Sequence, residues 1–297
     1  MTWTSNRNTI LIPVVFIFLA PLILMGCSQS FEPFQENDRY VFSMNGYLDA
    51  SADTQWVRVM PVRDSFFLEP EPLDVTVTLE HMADGGESVI LKDSLFYYGQ
   101  GAYAWNYWTT MKLNPTETYR IQAERSDGRY SFAIVKLPED FPDPTLHVLI
   151  DRPAEFLRFK GIENLAGIHS NHLVESRLTS SNFTMTYSHD QDTIKIDSDY
   201  HEYEIQLNPS KATENLEAFY EENPYDVLHR EIFVASAGPD WPFYPDISAE
   251  TVALPDGVSN VENGVGFVIG IVSRTIPWEI TCFDEDEGYP IELPCRF

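Results

Sequence analysis

Hydrophobic and polar residues alternate with a period of two along most of residues 40–137, which is the pattern of short strands that bury one face. Turn-forming segments interrupt the alternation at short intervals, among them Asp84-Gly85-Gly86 and Ser126-Asp127-Gly128. About seven or eight such strands within about 100 residues are typical of an antiparallel β-sandwich. The pattern therefore predicts an immunoglobulin-like or fibronectin-like sandwich over residues 39–138.

A local motif points to the same fold. The segment Leu113-Asn114-Pro115-Thr116-Glu117-Thr118-Tyr119 is followed by Ile121 and Ala123 at alternate positions. This spacing is similar to the corner that enters the sixth strand of such sandwiches, where a tyrosine hydroxyl bonds to upstream backbone. We therefore predict a purely structural role for Tyr119.

Prolines mark a boundary near the middle of the chain. Pro138, Pro142 and Pro144 disfavour a central strand or a helix, so residues 139–145 are predicted to form a stiff linker. Strand-like alternation resumes from residue 146, which predicts a second β-rich domain over residues 146–297.

The period changes once within this second part. Asn208 is a good helix cap, Pro209 suits the first helical position, and apolar residues then recur on one helical face. A short helix near residues 209–222 is predicted. The expected fold class is thus mostly β, with one helix.

The N-terminus carries an export pattern. An apolar run over residues 9–25 follows Arg7, and it is shorter than the about 20 residues that a membrane-spanning helix needs. Leu24-Met25-Gly26-Cys27 has the spacing of a bacterial lipoprotein cleavage site. We predict that residues 1–26 are a signal peptide, that Cys27 is lipidated and that residues 27–38 are a tether. Ser28 favours an outer-membrane destination over inner-membrane retention. Both faces of the outer membrane remain possible locations.

Charge excludes one class of partner. The 297 residues include 19 Lys and Arg against 46 Asp and Glu, for a net charge of −27. Such a surface repels phosphate backbones, which argues against nucleic-acid binding. Solubility or a salty habitat would explain the acidity, and so would steering of a cationic partner or a metal ion.

Two cysteines remain beside Cys27. An even pair in an exported protein predicts a disulfide between Cys282 and Cys295, which would contribute about 3 kcal/mol in the chain-entropy model. Two free thiols or a metal-binding pair are the alternatives.

Aromatic residues provide the candidate contact site. Tyr103, Trp105 and Tyr107 share one strand face and are predicted either to be buried in the core or to form an exposed platform for sugar rings or a partner protein. The same two interpretations apply to a later loop that contains Trp241, Phe243 and Tyr244.

Catalytic and metal signatures are missing from the sequence. It contains no Gly-x-Ser-x-Gly, no His-Glu-x-x-His and no phosphate-binding glycine loop. His169 and His172 lie in a loop-like stretch without a third ligand, and Asp284-Glu285-Asp286-Glu287-Gly288 resembles a calcium loop only superficially. We therefore predict no cofactor, no metal site and no catalytic residues.

Six short segments also fit a known family. They are the motif ending at Cys27, Asn45-Gly46-Tyr47-Leu48, residues 113–119, Lys136-Leu137-Pro138, Phe219-Tyr220 and residues 258–267. Together they resemble the bacterial lipoprotein family catalogued as domain of unknown function 4249. The resemblance implies an outer-membrane lipoprotein of the kind often associated with TonB-dependent transporters, and it implies no catalytic residues.

Three functional hypotheses follow. The first is a non-enzymatic, lipid-anchored binding or accessory protein that acts beside a TonB-dependent transporter in nutrient uptake. The second is a carbohydrate-binding module or glycan hydrolase that uses an aromatic platform. The third is a structural lipoprotein of the cell envelope. The most useful single observation is the solvent exposure of Tyr103, Trp105 and Tyr107 and of the Trp241–Tyr244 loop, whereas the third hypothesis is distinguished only by phenotype.

Overall fold

The computed structural model describes residues 40–62, 71–99, 101–149, 154–189, 193–197, 201–207, 225–241, 259–278, 282–283 and 290–291. These residues form strands and connecting turns with no helix among them, which confirms the predicted mostly-β fold. In the same ranges no helix is long and apolar enough to cross a membrane. The predicted signal peptide, Cys27, the tether and the helix near 209–222 lie outside the described residues.

One eight-stranded sheet extends through the molecule. Its strands follow in this spatial order: β12 (Asn182–Ser188), β11 (Asn164–Ser176), β15 (Tyr225–Ala237), β17 (Gly264–Pro277), β1 (Phe42–Asp49), β2 (Gln55–Pro61), β6 (Tyr103–Thr109) and β5 (Lys92–Tyr97). All neighbours are antiparallel except β1 and β17, which run parallel with Phe42 opposite Gly264. This sheet crosses the boundary predicted at residues 139–145, because β17 of the C-terminal part pairs with β1.

Two smaller sheets pack on one face of the large sheet, as in a sandwich. The five-stranded sheet contains, in order, β16 (Val261–Glu262), β8 (Tyr130–Lys136), β7 (Thr118–Glu124), β3 (Thr76–His81) and β4 (Ser88–Ile90). The four-stranded sheet contains β13 (Thr193–Asp197), β14 (Glu202–Leu207), β10 (Ala154–Phe159) and β9 (Thr145–Leu149). Val268 and Val272 share one side of β17, and each belongs to the core beneath a different small sheet. We call this side the inner face, and the opposite side the outer face.

The alternation in the sequence explains both cores. Successive side chains of a strand point to opposite faces, so every second residue enters the space between the sheets. Val57 and Val59 of β2 are fully buried on the inner face, opposite Leu79 and Ile121 of the five-stranded sheet. Burial of such side chains stabilises the fold by about 1.5–3 kcal/mol each.

The predicted tyrosine corner is present. The Asn114 backbone N–H donates a hydrogen bond to the Tyr119 hydroxyl over 2.9 Å, and the Tyr119 side chain is buried. Burial also raises the pKa of this phenol. Tyr119 therefore joins the loop to the core, in the structural role predicted for it.

The proline-rich segment packs against the large sheet. Phe141 is buried in the core beneath the four-stranded sheet. The guanidinium of Arg274 in β17 forms an ion pair with Asp140, and it lies 5.3 Å from the centre of the Phe141 ring. The segment predicted as a linker is thus held to β17 by an apolar contact and an ion pair.

Strand β11 differs from the sequence prediction. The stretch that contains His169 and His172 was expected to be loop-like, but it pairs with β12 on one side and β15 on the other. A register shift between Leu165 and Gly167 accommodates the glycine. Polar residues at buried positions conceal the alternation in this strand.

A short hairpin lies near the C-terminus. Strand β18 (Cys282–Phe283) pairs with β19 (Pro290–Ile291), and Cys282 is opposite Ile291. Cys295 lies outside the described residues, as does the acidic segment 284–288. The disulfide between Cys282 and Cys295 stays a prediction.

Candidate functional site

The aromatic row predicted on β6 is turned toward the protein interior. Trp105 and Tyr107 are 7% and 4% exposed and belong to the core beneath the five-stranded sheet. Burial and the nearby Asp93 carboxylate raise the pKa of the Tyr107 phenol. Tyr103 is half-buried at the edge, with its ring centre 5.0 Å from that of Tyr97. The platform interpretation is therefore wrong for Trp105 and Tyr107, which no ligand can reach.

The outer face of the same strands carries a different set of aromatic residues. Trp56 of β2 lies opposite Trp108 of β6, and Tyr47 of β1 lies opposite Trp56. The Trp56 ring centre is 5.8 Å from that of Trp108 and 5.4 Å from that of Phe96 in β5. Together with Tyr98 they form a surface that we call the outer aromatic face, defined by Tyr47, Trp56, Phe96, Tyr98 and Trp108.

Exposure distinguishes this surface from the core. Trp56 and Phe96 are 39% and 38% exposed, and Tyr47 and Tyr98 are each 57% exposed. Contiguous exposed aromatic surface is costly in water and usually marks a contact site. The strands of a sheet hold these rings, so little ordering is needed before a partner binds.

Two cations flank the outer aromatic face. The Lys92 ammonium lies 4.7 Å from the centre of the Trp108 ring. Arg58 donates a hydrogen bond of 2.8 Å to the Tyr98 hydroxyl, and its guanidinium carbon is 5.4 Å from the centre of that ring. Both contacts have cation–π geometry, which orients the rings and keeps the positive charges beside them.

The sequence pattern did not single out Trp56, Trp108 and Arg58 as candidate contact residues. One signal in the sequence could have identified Trp108. Successive residues of a strand point to opposite faces, so Trp108 must lie on the face of β6 opposite to that of Tyr107. Trp241 of the predicted loop is half-buried against an outer-face cluster that includes Ile269, and Ile269 lies opposite Tyr47. Phe243 and Tyr244 lie outside the described residues.

A buried serine and two histidines form the most enzyme-like arrangement within the described ranges. The Ser170 hydroxyl lies 3.1 Å from Nε2 of His172 and 3.1 Å from Nε2 of His189. All three side chains are at most 1% exposed. Burial, together with the charges of Arg230 and His189, lowers the pKa of His172 to about 4. A substrate cannot reach this hydroxyl, so the cluster is structural.

The two histidines considered as metal ligands are separated by the strand. His169 stacks on Phe233 at 4.5 Å on the outer side, whereas His172 is buried on the inner side against Trp278. They therefore cannot coordinate the same ion. Among the described residues, no group of three or more His, Cys, Asp or Glu side chains is placed to hold a metal.

A cleft of about 390 Å³ lies elsewhere, between residues 136–139, residues 236–239 and the turn at Gly161. Thr116 and His201, both with positive φ, also line it. The side chains of Glu139, Glu163 and His201 are not hydrogen bonded to one another.

Comparisons with known proteins add little. No protein-family model matches this sequence, and no curated protein matches it. Among solved structures, the chain is similar to pullulanase from Anoxybacillus sp. LM18-11 and to pullulanase complexed with maltotriose from the same source. Both similarities have a TM-score of 0.23 and 9% identity, and they cover 65% of this chain and 24% of the pullulanase chain. That level of similarity is too low to assign a fold or a function.

Proposed function

We propose that this protein is a non-enzymatic, lipid-anchored binding protein of the bacterial outer membrane. In this proposal it holds glycans on the outer aromatic face and acts beside a TonB-dependent transporter in nutrient uptake. The observation that carries the proposal is the aromatic surface that the half-buried Trp108 forms with the exposed Trp56 and Phe96 on adjacent strands.

The chemistry of sugar rings suits such a surface. One face of a pyranose presents C–H groups, and aromatic rings pack favourably against that face while the hydroxyls stay in contact with water. Trp56 is central because it touches both Trp108 and Phe96. The rings stand on strands held by continuous ladder pairing, which keeps their spacing constant.

The sequence supports the location and the partner. The motif ending at Cys27 would attach the chain to lipid, and residues 27–38 would separate the sheets from the membrane surface. The resemblance to the lipoprotein family supplies the transporter as partner. A capture protein needs no catalytic residues, which agrees with the inaccessible Ser170.

Replacing Trp56 by alanine is expected to weaken glycan binding by about tenfold or more, because it removes one stacking surface and leaves its two aromatic neighbours unsupported. Isothermal titration calorimetry with a glycan identified on an array measures the effect. Tyr130→Ala is the matched control, because Tyr130 is also 39% exposed but lies on β8 of the five-stranded sheet. Equal binding by wild type and Trp56→Ala, or failure to bind any glycan, would contradict the proposal.

The transporter partnership has its own test. Affinity capture of the full-length protein through a C-terminal tag, from detergent-solubilised envelopes of the native host, is expected to recover a TonB-dependent transporter. Cys27→Ser is expected to lower this recovery severalfold, because the unlipidated protein is no longer concentrated at the membrane. Recovery of no transporter by the wild type would refute the partnership. If Trp56→Ala lost the transporter but kept glycan binding, the outer aromatic face would be a protein contact instead.

A further inference from the structure

The charge on the outer aromatic face is opposite in sign to the charge of the chain. The sequence has a net charge of −27, yet the charged residues among the rings are Lys92 and Arg58. None of the outward positions on the three strands β2, β6 and β5 is acidic: they are Trp56, Arg58, Ala104, Asn106, Trp108, Lys92, Ser94 and Phe96. On β1, the outward Asp49 accepts hydrogen bonds from the Ser273 hydroxyl and the Ser51 backbone N–H, so the carboxylate on this side belongs to β1 and not to the three strands that carry Lys92 and Arg58.

Asp93 is the acidic residue closest in sequence to Lys92, and it lies on the opposite side of β5. Asp93 follows Lys92, but its strand partner is the core-facing Tyr107, and its charge acts on that phenol. Consecutive residues of a strand lie on opposite faces, so Asp93 is on the inner side of β5. It does not neutralise the Lys92 ammonium across the outer face.

The two cations also have no carboxylate partner within the described part of the chain. The other arginines and lysines that form ion pairs there do so with Asp or Glu: Lys112 with Asp53, Arg125 and Arg129 with Asp127, Arg158 with Glu204, Arg177 with Asp226, and Arg274 with Asp140 and Asp143. Lys92 and Arg58 instead contact Trp108 and Tyr98. In a chain with this excess of acid, the unpaired cations are available to an external anion.

We infer that the outer aromatic face selects glycans that carry carboxylates, that is, oligosaccharides of uronic acids. This inference rests on the proposed function and names its ligand class. A sugar ring stacked on the exposed Trp56 lies next to Trp108, whose ring carries the Lys92 ammonium with its three donors. Arg58 uses one N–H toward Tyr98 and retains others for a second carboxylate. The surrounding negative charge of the protein repels polyanions elsewhere, so such a ligand is directed to this face.

The test compares trigalacturonate with its fully methyl-esterified form, which has the same rings without the charge. Calorimetry on the wild-type protein is expected to show roughly tenfold tighter binding of the acid at low salt, with the preference declining as salt is added. Lys92→Met is expected to remove most of that preference while it retains binding of the ester, because the methionine side chain still covers Trp108. Lys160→Met is the control. Lys160 is also an exposed lysine but lies outside the outer aromatic face, so this variant should keep the preference for the acid.

The outcomes separate the inference from the proposed function. Equal affinity for acid and ester in the wild type overturns the carboxylate preference and leaves glycan binding in place. Failure to bind either ligand, together with failure on a glycan array, overturns both. Lys92-dependent binding to phosphatidylglycerol vesicles without binding to trigalacturonate would make the face a lipid contact and would also overturn the inference.

Discussion

Substitution of Gly266 by alanine is expected to lower the free energy of unfolding by about 3 kcal/mol or more. Gly266 lies in β17 with φ +113°, and an added Cβ would stand 2.2 Å from the Met44 carbonyl oxygen in the parallel strand β1. That oxygen belongs to backbone and cannot rotate away. Relief requires β1 and β17 to separate at the pair that joins the two parts of the large sheet. Urea unfolding followed by circular dichroism gives the change.

Gly128→Ala separates steric overlap from backbone strain. Gly128 also has positive φ, at +84°, but nothing lies within 4 Å of its hypothetical Cβ. Only the left-handed conformation is penalised there, so a loss of about 1 kcal/mol is expected. Similar losses in the two variants would show that the β1–β17 contact is not as tight as the structure has it.

Acid is expected to destabilise the fold through His172. This imidazole is 1% exposed and its pKa is lowered to about 4, whereas the unfolded chain titrates near the ordinary value of 6.5. Since the unfolded state takes up the proton first, the stabilisation is fully present above pH 6.5 and is lost as pH falls through 4. The loss between about pH 7.5 and about pH 5 is about 2 kcal/mol.

A histidine variant isolates this contribution from that of the many carboxylates. His172→Gln retains a polar side chain near Ser170 but cannot take up the proton. Its unfolding free energy, measured in urea at both pH values, should vary less with pH than that of the wild type, by about 2 kcal/mol. His147→Gln is the control because His147 is exposed. An unchanged pH dependence in His172→Gln would refute the assignment.

Local patterns predicted many of the elements. The alternation that predicts strands over residues 40–137 and from residue 146 onward coincides with strands such as β6, β12 and β14. The corner at Tyr119 was also recognisable, because its turn and its alternating apolar residues are adjacent in the sequence. Strand β11 was not, because Ser170 and His172 occupy buried positions where apolar residues are expected.

The assembly of the large sheet depends on contacts between distant parts of the chain. Asn45 and Phe267 are neighbours in the β1–β17 pair, although more than two hundred residues separate them. The Asn45 side-chain oxygen accepts a hydrogen bond from the Phe267 backbone N–H over 3.3 Å. Nothing in the alternation of either strand specifies its partner, so the pairing could not be derived from the sequence pattern.

Within the single strand β6, the sequence pattern also failed to predict which aromatic residues are exposed. Aromatic residues were identified on β6, but the predicted contact residues Trp105 and Tyr107 are buried while Trp108 of the same strand is on the outer face. A period of two separates the two faces of a strand without saying which one another sheet will cover. The contacts of Lys92 and Arg58 with aromatic rings could not be predicted either, because they arise only when β5, β6 and β2 are paired.

The sequence by itself determined the β-rich composition of the fold, most strand positions, the tyrosine corner and the strongly acidic surface, because each depends on neighbouring residues or on total charge. Tertiary structure decided which face of β6 is exposed, which cations lie beside which rings and how β17 joins β1. Those properties depend on strand register and on the packing of one sheet over another. Both are set by distant residues whose proximity is created by folding.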